Sequence, residues 1–386
     1  MEKKVVIYFA SVIFIIFSLV IILMIFQNEK EIKSKAPSNS IISNNIDRET
    51  SYTNNLYEID KYNVVHSDFT STFVAPSYID EELIAFEYDK SEQFKSYIAT
   101  VSKKNQEYMR IYSTDEGKII NSMVGIDGTL YWVENDRDIH HDFNWYIKSI
   151  DLNTKEVKIL RRGKLADQIL PPVLRIYNNR ITWIEKTLVN NKVYSTAILY
   201  DAIENSFSEI AKVRLDESTN REGKFMIIQR PIKDGMIIQQ SVFNILDEES
   251  QKSLEIVYYP YDKTKSVLLG EGEKVVDFTA NKDWFVWSEF GQINIVDRKT
   301  GEIKYTYKGK DKDFTFDSLF IINETLYFRY SMHQILQMNL QTGDVKEVTN
   351  SRIITSKIFN SNKYLGFSYM DAKESKGEVE FMILSQ

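Results

Sequence analysis

The chain has 386 residues, with no cysteine, 14 glycines and 6 prolines. The missing cysteine excludes a disulfide-stapled scaffold, a cysteine nucleophile, zinc knuckles and a lipidated cysteine; the low glycine count argues against glycine-rich nucleotide-binding loops. Lys+Arg number 48 against 55 Asp+Glu, a net charge of −7 that disfavours a nucleic-acid partner, while 43% apolar and 13% aromatic residues exclude a wholly disordered chain.

Val5 to Phe26 carries no charge and only two serines, Ser11 and Ser18. At 1.5 Å per residue the run predicts a helix of about 33 Å, enough for a hydrocarbon core of about 30 Å. It ends without an A-x-A-like cleavage site, so a retained anchor is expected rather than a cleaved signal. Lys3 and Lys4 favour a cytoplasmic tail, which places residues 1–27 as tail and transmembrane anchor and the rest outside the cytoplasm. The lipid bilayer is then one partner, contacted through Val5–Phe26. Residues 28–55 are rich in Ser, Asn and Thr and read as a flexible polar stalk.

From residue 56 to 386 one pattern recurs: a turn, an apolar residue, a spacer, an aromatic, and a polar or acidic residue. It occurs at 80–88, 127–134, 178–185, 234–241, 281–289, 323–330 and 361–369. The aligned column is Phe86, Trp132, Trp183, Gln239, Trp287, Phe328 and Phe367, spaced by about 47 residues. A second hairpin pattern places Asp151, Asp201, Asp262, Asp297 and Asn339 at its corner, where a short carboxyl or amide caps backbone N–H groups. Four strands per repeat predict an all-β fold, a seven-bladed β-propeller with six or eight blades as alternatives, preceded by one N-terminal transmembrane helix. The orphan segment Leu56–His66 is expected to supply the outermost strand of the last blade.

The repeated hairpins, clearest at 284–307 and 326–348, resemble those of the TolB-like β-propeller superfamily of extracytoplasmic proteins. The resemblance covers nearly all of 56–386 and, with the anchor read at Val5–Phe26, suggests a membrane-anchored member; it implies an extracytoplasmic module of a kind that mostly binds or scaffolds and is sometimes attached to a hydrolase domain.

Loops at 135–144, 161–174, 186–192, 212–223 and 244–252 read as long and gather on one face, where binding residues usually sit. Asp136, Asp138, His140, His141, Asp142 and Trp145 are the ligand-binding candidates there. Adjacent side chains on an extended chain point to opposite sides, so His140 and His141 do not readily share an ion, and no metal or other cofactor is expected. Phe86, Trp132, Trp183, Trp287, Phe328 and Phe367 are expected to pack between blades. No G-x-S-x-G elbow or S-x-x-K pair occurs, and no catalytic residue stands out. The expected function is a non-catalytic binding or scaffolding module for a protein, peptide or cell-envelope ligand. The alternatives are a hydrolase or lyase with an acidic site on the long-loop face, and an accessory subunit of a membrane complex.

Overall fold

The computed structural model describes residues 40–42, 59–66 and 74–385, except 91–93, 138–142, 166–169, 191, 216–221, 245–250, 273–274, 351–353, 362–363 and 370–376. The anchor expected at Val5–Phe26 lies outside the described residues. Among those described, no helix is long and apolar enough to cross a membrane.

Strands β1 (Ser40–Ile42) and β2 (Ile59–Val65) come first. Units of antiparallel strands follow in chain order, the first two joined into one eight-stranded sheet by a single parallel pairing, Lys95↔Lys118. The first holds β3–β6 (Tyr78–Ile79, Leu83–Lys90, Lys95–Ser102, Tyr108–Ser113) and the second β7–β10 (Lys118–Ile126, Thr129–Asp136, Phe143–Asp151, Val157–Leu165). The third holds β11–β14 (Arg175–Tyr177, Arg180–Val189, Lys192–Asp201, Ser206–Arg214) and the fourth β15–β18 (Glu222–Pro231, Gly235–Asn244, Gln251–Pro260, Val267–Gly272). The fifth holds β19–β22 (Asp277–Ala280, Trp284–Glu289, Gln292–Asp297, Ile303–Lys308) and the sixth β23–β26 (Phe316–Ile322, Thr325–Tyr330, Gln334–Asn339, Val345–Asn350). The seventh holds β27–β29 (Phe359–Ser361, Tyr364–Tyr369, Glu378–Ser385) and takes β2 as its outer strand. The pairing of β2 with β29 runs from Ile59↔Leu384 to Val65↔Glu378, so the segment expected to close the ring does so. Three residues of the expected stalk also form a strand: β1 pairs with β22, Ser40↔Lys308 to Ile42↔Thr306.

The hairpins follow from their corner residues. Oδ1 of Asp151, Asp201, Asp297 and Asn339 each accepts two backbone N–H bonds from the residues two and three positions on, and Asp262 Oδ1 accepts from Thr264 N–H. These bonds hold the Asp151 and Asp262 carboxyls below the usual carboxylate range. Left-handed φ angles fall on Asn178, Asn323 and the Asp127–Gly128 pair at the other corners, as tight hairpins require.

Each hydrophobic cluster joins two consecutive units. Phe86 and Ile84 of the first pack with Phe381 and Val64 of the seventh, and Trp132 of the second packs with Ile98 and Tyr78 of the first. Trp183 faces the second unit, Phe328 the fifth and Phe367 the sixth. Phe86, Trp132, Trp183, Phe328 and Phe367 are fully buried. Trp287 stands on the same rung against the fourth unit but is only partly buried.

Two sequence expectations need correction. The repeat pattern aligns Gln239 with the aromatic column, but Ile232 N–H bonds to Gly235 O, so the turn is Lys233-Asp234 and lies one residue earlier than the pattern implies. Ile238 therefore occupies the rung of the aromatics and Gln239 points to the opposite face of the sheet. The loop expected at 186–192 is mostly ladder: β12 and β13 stay paired out to Val189↔Lys192, because Thr187, Leu188 and Val189 suit an extended strand.

Candidate functional site

First strands of neighbouring units touch one another: β3 meets β7 and β27, β7 meets β11, β11 meets β15, and β19 meets β23. The units therefore converge on a centre lined by their first strands, and side chains near this inner edge decide what it binds.

One rung of the second strand reaches this edge repeatedly. It lies four residues after the strand's turn-closing residue and holds Glu87, Gln239, Ser288, Arg329 and Ser368 in the first, fourth, fifth, sixth and seventh units. Gln239 Nε2 donates to Val275 O (3.4 Å), Ser288 Oγ to Phe316 O (2.7 Å), Arg329 Nη1 to Thr355 O (2.7 Å) and Ser368 Oγ to Val74 O. Each bond pins one unit to the approach of the next unit's first strand. In the first unit the rung carries a carboxyl, Glu87, whose Oε2 accepts from Ser77 Oγ. Burial pushes Glu87 up to about 7, with Ser77 opposing the shift and Asp89 adding to it. The side chain is nonetheless only partly shielded from water, so a group that titrates at neutral pH meets solvent near the inner edge.

A cluster of charge sits at the inner edge of the third to sixth units, on β11, β15, β19 and β23 with Arg329 on β24. Arg329 binds Asp317 with both prongs of its guanidinium, Nε–Oδ1 2.8 Å and Nη2–Oδ2 2.6 Å. Arg230 Nη2 donates to Asp277 Oδ1 at 2.8 Å, and Phe320 lies under the Arg230 guanidinium at 5.0 Å. Asp277 also accepts N–H bonds from Phe278 (2.8 Å) and Leu319 (3.1 Å). Burial opposes ionisation of Asp277, but Arg230, these two amides and Arg175 outweigh it and hold the carboxyl below its usual range. Arg175 is pushed down to about 10, first by burial and then by Arg230, with Asp277 acting the other way.

Of the predicted site residues, Asp136 and Trp145 are described, and neither lies in this cluster. Asp136 ends β8, where its Oδ2 accepts from the Asn144 backbone N–H at 2.9 Å. Trp145 is buried in the cluster between the second and third units, its ring so close to Gly163 that a Cβ there would collide. Asp138, His140, His141 and Asp142 lie outside the described residues. No group of three or more metal-ligating side chains occurs among the described residues. The sequence reading missed Glu87, Arg175, Arg230 and Asp277. A signal existed in Arg175 and Arg230, which recur two residues before the turn-closing residue in adjacent repeats.

No family model matches the chain, and no curated protein matches it. Solved structures do. A prolyl endopeptidase matches at TM-score 0.54 and 10% identity, over 82% of this chain and 50% of that one. The β-propeller domain of the Trilobed protease from Pyrococcus furiosus, described as having an open velcro topology, matches at TM-score 0.54 and 12% identity, over 81% and 93%. An acylaminoacyl peptidase of Pyrococcus horikoshii matches at 0.51 and 12%, over 79% and 50%. This chain thus spans about half the length of the two peptidases. At such identities the likeness shows the fold alone, and that fold is a β-propeller. It also corrects one expectation. Propellers of this fold occur within peptidases, so the expectation of a non-catalytic binding or scaffolding module does not stand.

Proposed function

We propose that this chain is a seven-bladed, TolB-like propeller, anchored through Val5–Phe26 with its propeller outside the cytoplasm, that acts in hydrolase or lyase chemistry with Glu87 as the proton-transfer group. The observation that carries the reading is Glu87 itself: a carboxyl near the inner edge, bonded by Ser77, water-accessible, and held protonated up to about pH 7 by burial. A group poised there gives and takes protons at ambient pH with little bias, which is what general acid–base catalysis needs. Seven units with β2 closing the last support the blade count. The sequence has no G-x-S-x-G elbow, so carboxyl-driven cleavage of a glycosidic or similar bond fits it better than a serine nucleophile.

The test is turnover by the full chain on two panels, peptide amides and uronate-containing polysaccharides. Glu87→Gln should lower kcat by roughly 100-fold or more, and the wild-type profile should have a limb near pH 7. An inactive wild type on both panels, or an unaffected Glu87→Gln variant, defeats the proposal. Membrane fractionation with and without residues 1–27 tests the anchor: loss of membrane association on truncation is expected.

A further inference from the structure

Arg175 and Arg230 occupy one rung of neighbouring inner strands. Each lies two residues before the residue that closes the turn, Tyr177 in β11 and Ile232 after β15. The same rung in the other units carries Tyr78, Val124, Thr279, Phe320 and Phe359. Two cations side by side on strands that line the centre are therefore peculiar to the third and fourth units.

Their counter-charge is incomplete. Asp277 is the carboxylate near both, and it already accepts from Arg230 and from two backbone N–H groups. Asp317 is taken up by Arg329. Among the described residues the Arg175 side chain makes no hydrogen bond or ion pair, though it feels the charges of Arg230 and Asp277. Arg230 is nine-tenths buried, and its Nε–H has no acceptor. Among the described residues of this cluster, three guanidiniums stand against two carboxylates and leave one positive charge over, in a chain whose net charge is −7. Arg175 is only partly buried, so a ligand can reach it, and a planar anion could accept from its guanidinium and from the unsatisfied Nε–H of Arg230 at once.

We propose that Arg175 and Arg230 form a carboxylate-binding site at the centre of the ring, taking a small molecule or chain end that carries one free carboxylate. A single excess charge matches a monoanion. Asp277 lies beside the site and repels a second negative charge, which disfavours phosphate dianions. The carboxylate comes either from an acidic sugar or from a peptide C-terminus, and these present the same two oxygens to the arginines. The site stands independently of whether Glu87 turns anything over, because its readout is binding.

Calorimetric titration of the full chain tests it with four probes: galacturonate, its methyl ester, an N-acetylated dipeptide with a free C-terminus, and the corresponding amide. At least one acid should bind, and its ester or amide should not; which acid binds identifies the source. Arg175→Met should weaken that acid by roughly tenfold to a hundredfold. It should also raise the melting temperature of the unliganded protein, since it removes an uncompensated charge without breaking a bond. Arg230→Met also strips Asp277 of its partner, so Arg230→Lys, which keeps the charge and loses the fork, is the second variant and should weaken the same acid. Overturning results are no binding of either acid, equal binding of the neutral analogues, tighter binding of inorganic phosphate, or unchanged affinity in Arg175→Met.

Discussion

Glu87 shows how one side chain makes stability depend on pH. Its folded value of about 7 lies above the unfolded value near 4.3. The carboxyl therefore favours the fold while protonated. That contribution is complete below about pH 4.3 and is lost as pH rises through 7. Glu87→Gln keeps the acceptor for Ser77 and removes the charge. At pH 8 it should be more stable than wild type by about 1–3 kcal/mol, reduced from the full shift because water reaches the group. At pH 4.5 the two should melt within about 0.5 kcal/mol of each other; a constant gap across this range would contradict the assignment. The aromatics make a second residue-scale contrast. Trp183 is fully buried and its indole N–H donates to Glu185 Oε1 at 2.8 Å, whereas Trp287 is only partly buried and reaches Glu289 at 3.2 Å. Trp183→Ala should cost about 3–5 kcal/mol in chemical denaturation. Trp287→Ala should cost clearly less, because part of its surface already faces water.

At the scale of the strand, β2 has the most distinctive role. It comes from far upstream, lays Val64 into the cluster shared with Phe86 and Phe381, and covers β29. Deleting residues 56–66 should lower the melting temperature by about 10 °C or more; an unchanged melting curve would show that the pairing contributes nothing. Much of this was legible in the sequence, for a physical reason. Hairpin corners need Asp, Asn or Gly, and inter-unit clusters need a large side chain at a fixed rung, so both leave a periodic mark. The fourth repeat misled because its turn sits on Lys233-Asp234 rather than Asp234-Gly235, and one residue of register reverses the facing of a strand. The inner-edge charges were hard to read because Arg230 and Asp277, on different units, meet only when the ring is assembled. Charged residues are common, and nothing in a single repeat marks those that turn inward.

For the whole molecule, the polar rung adds direction to the ring. Gln239, Ser288, Arg329 and Ser368 each bond forward to the next unit, while the aromatics pack backward onto the preceding one. Every unit in this stretch is held from both sides, which suits a chain with no disulfides. The closing ladder has a consequence in time. Val64 and its partner Val379 are separated by about 315 residues. At ribosomal rates of about 5–20 residues per second, β2 emerges tens of seconds before the strand it pairs with exists. Until then it is an unpaired strand, open to pairing with other chains. A strand made near the start of synthesis is thus among the last to find its place.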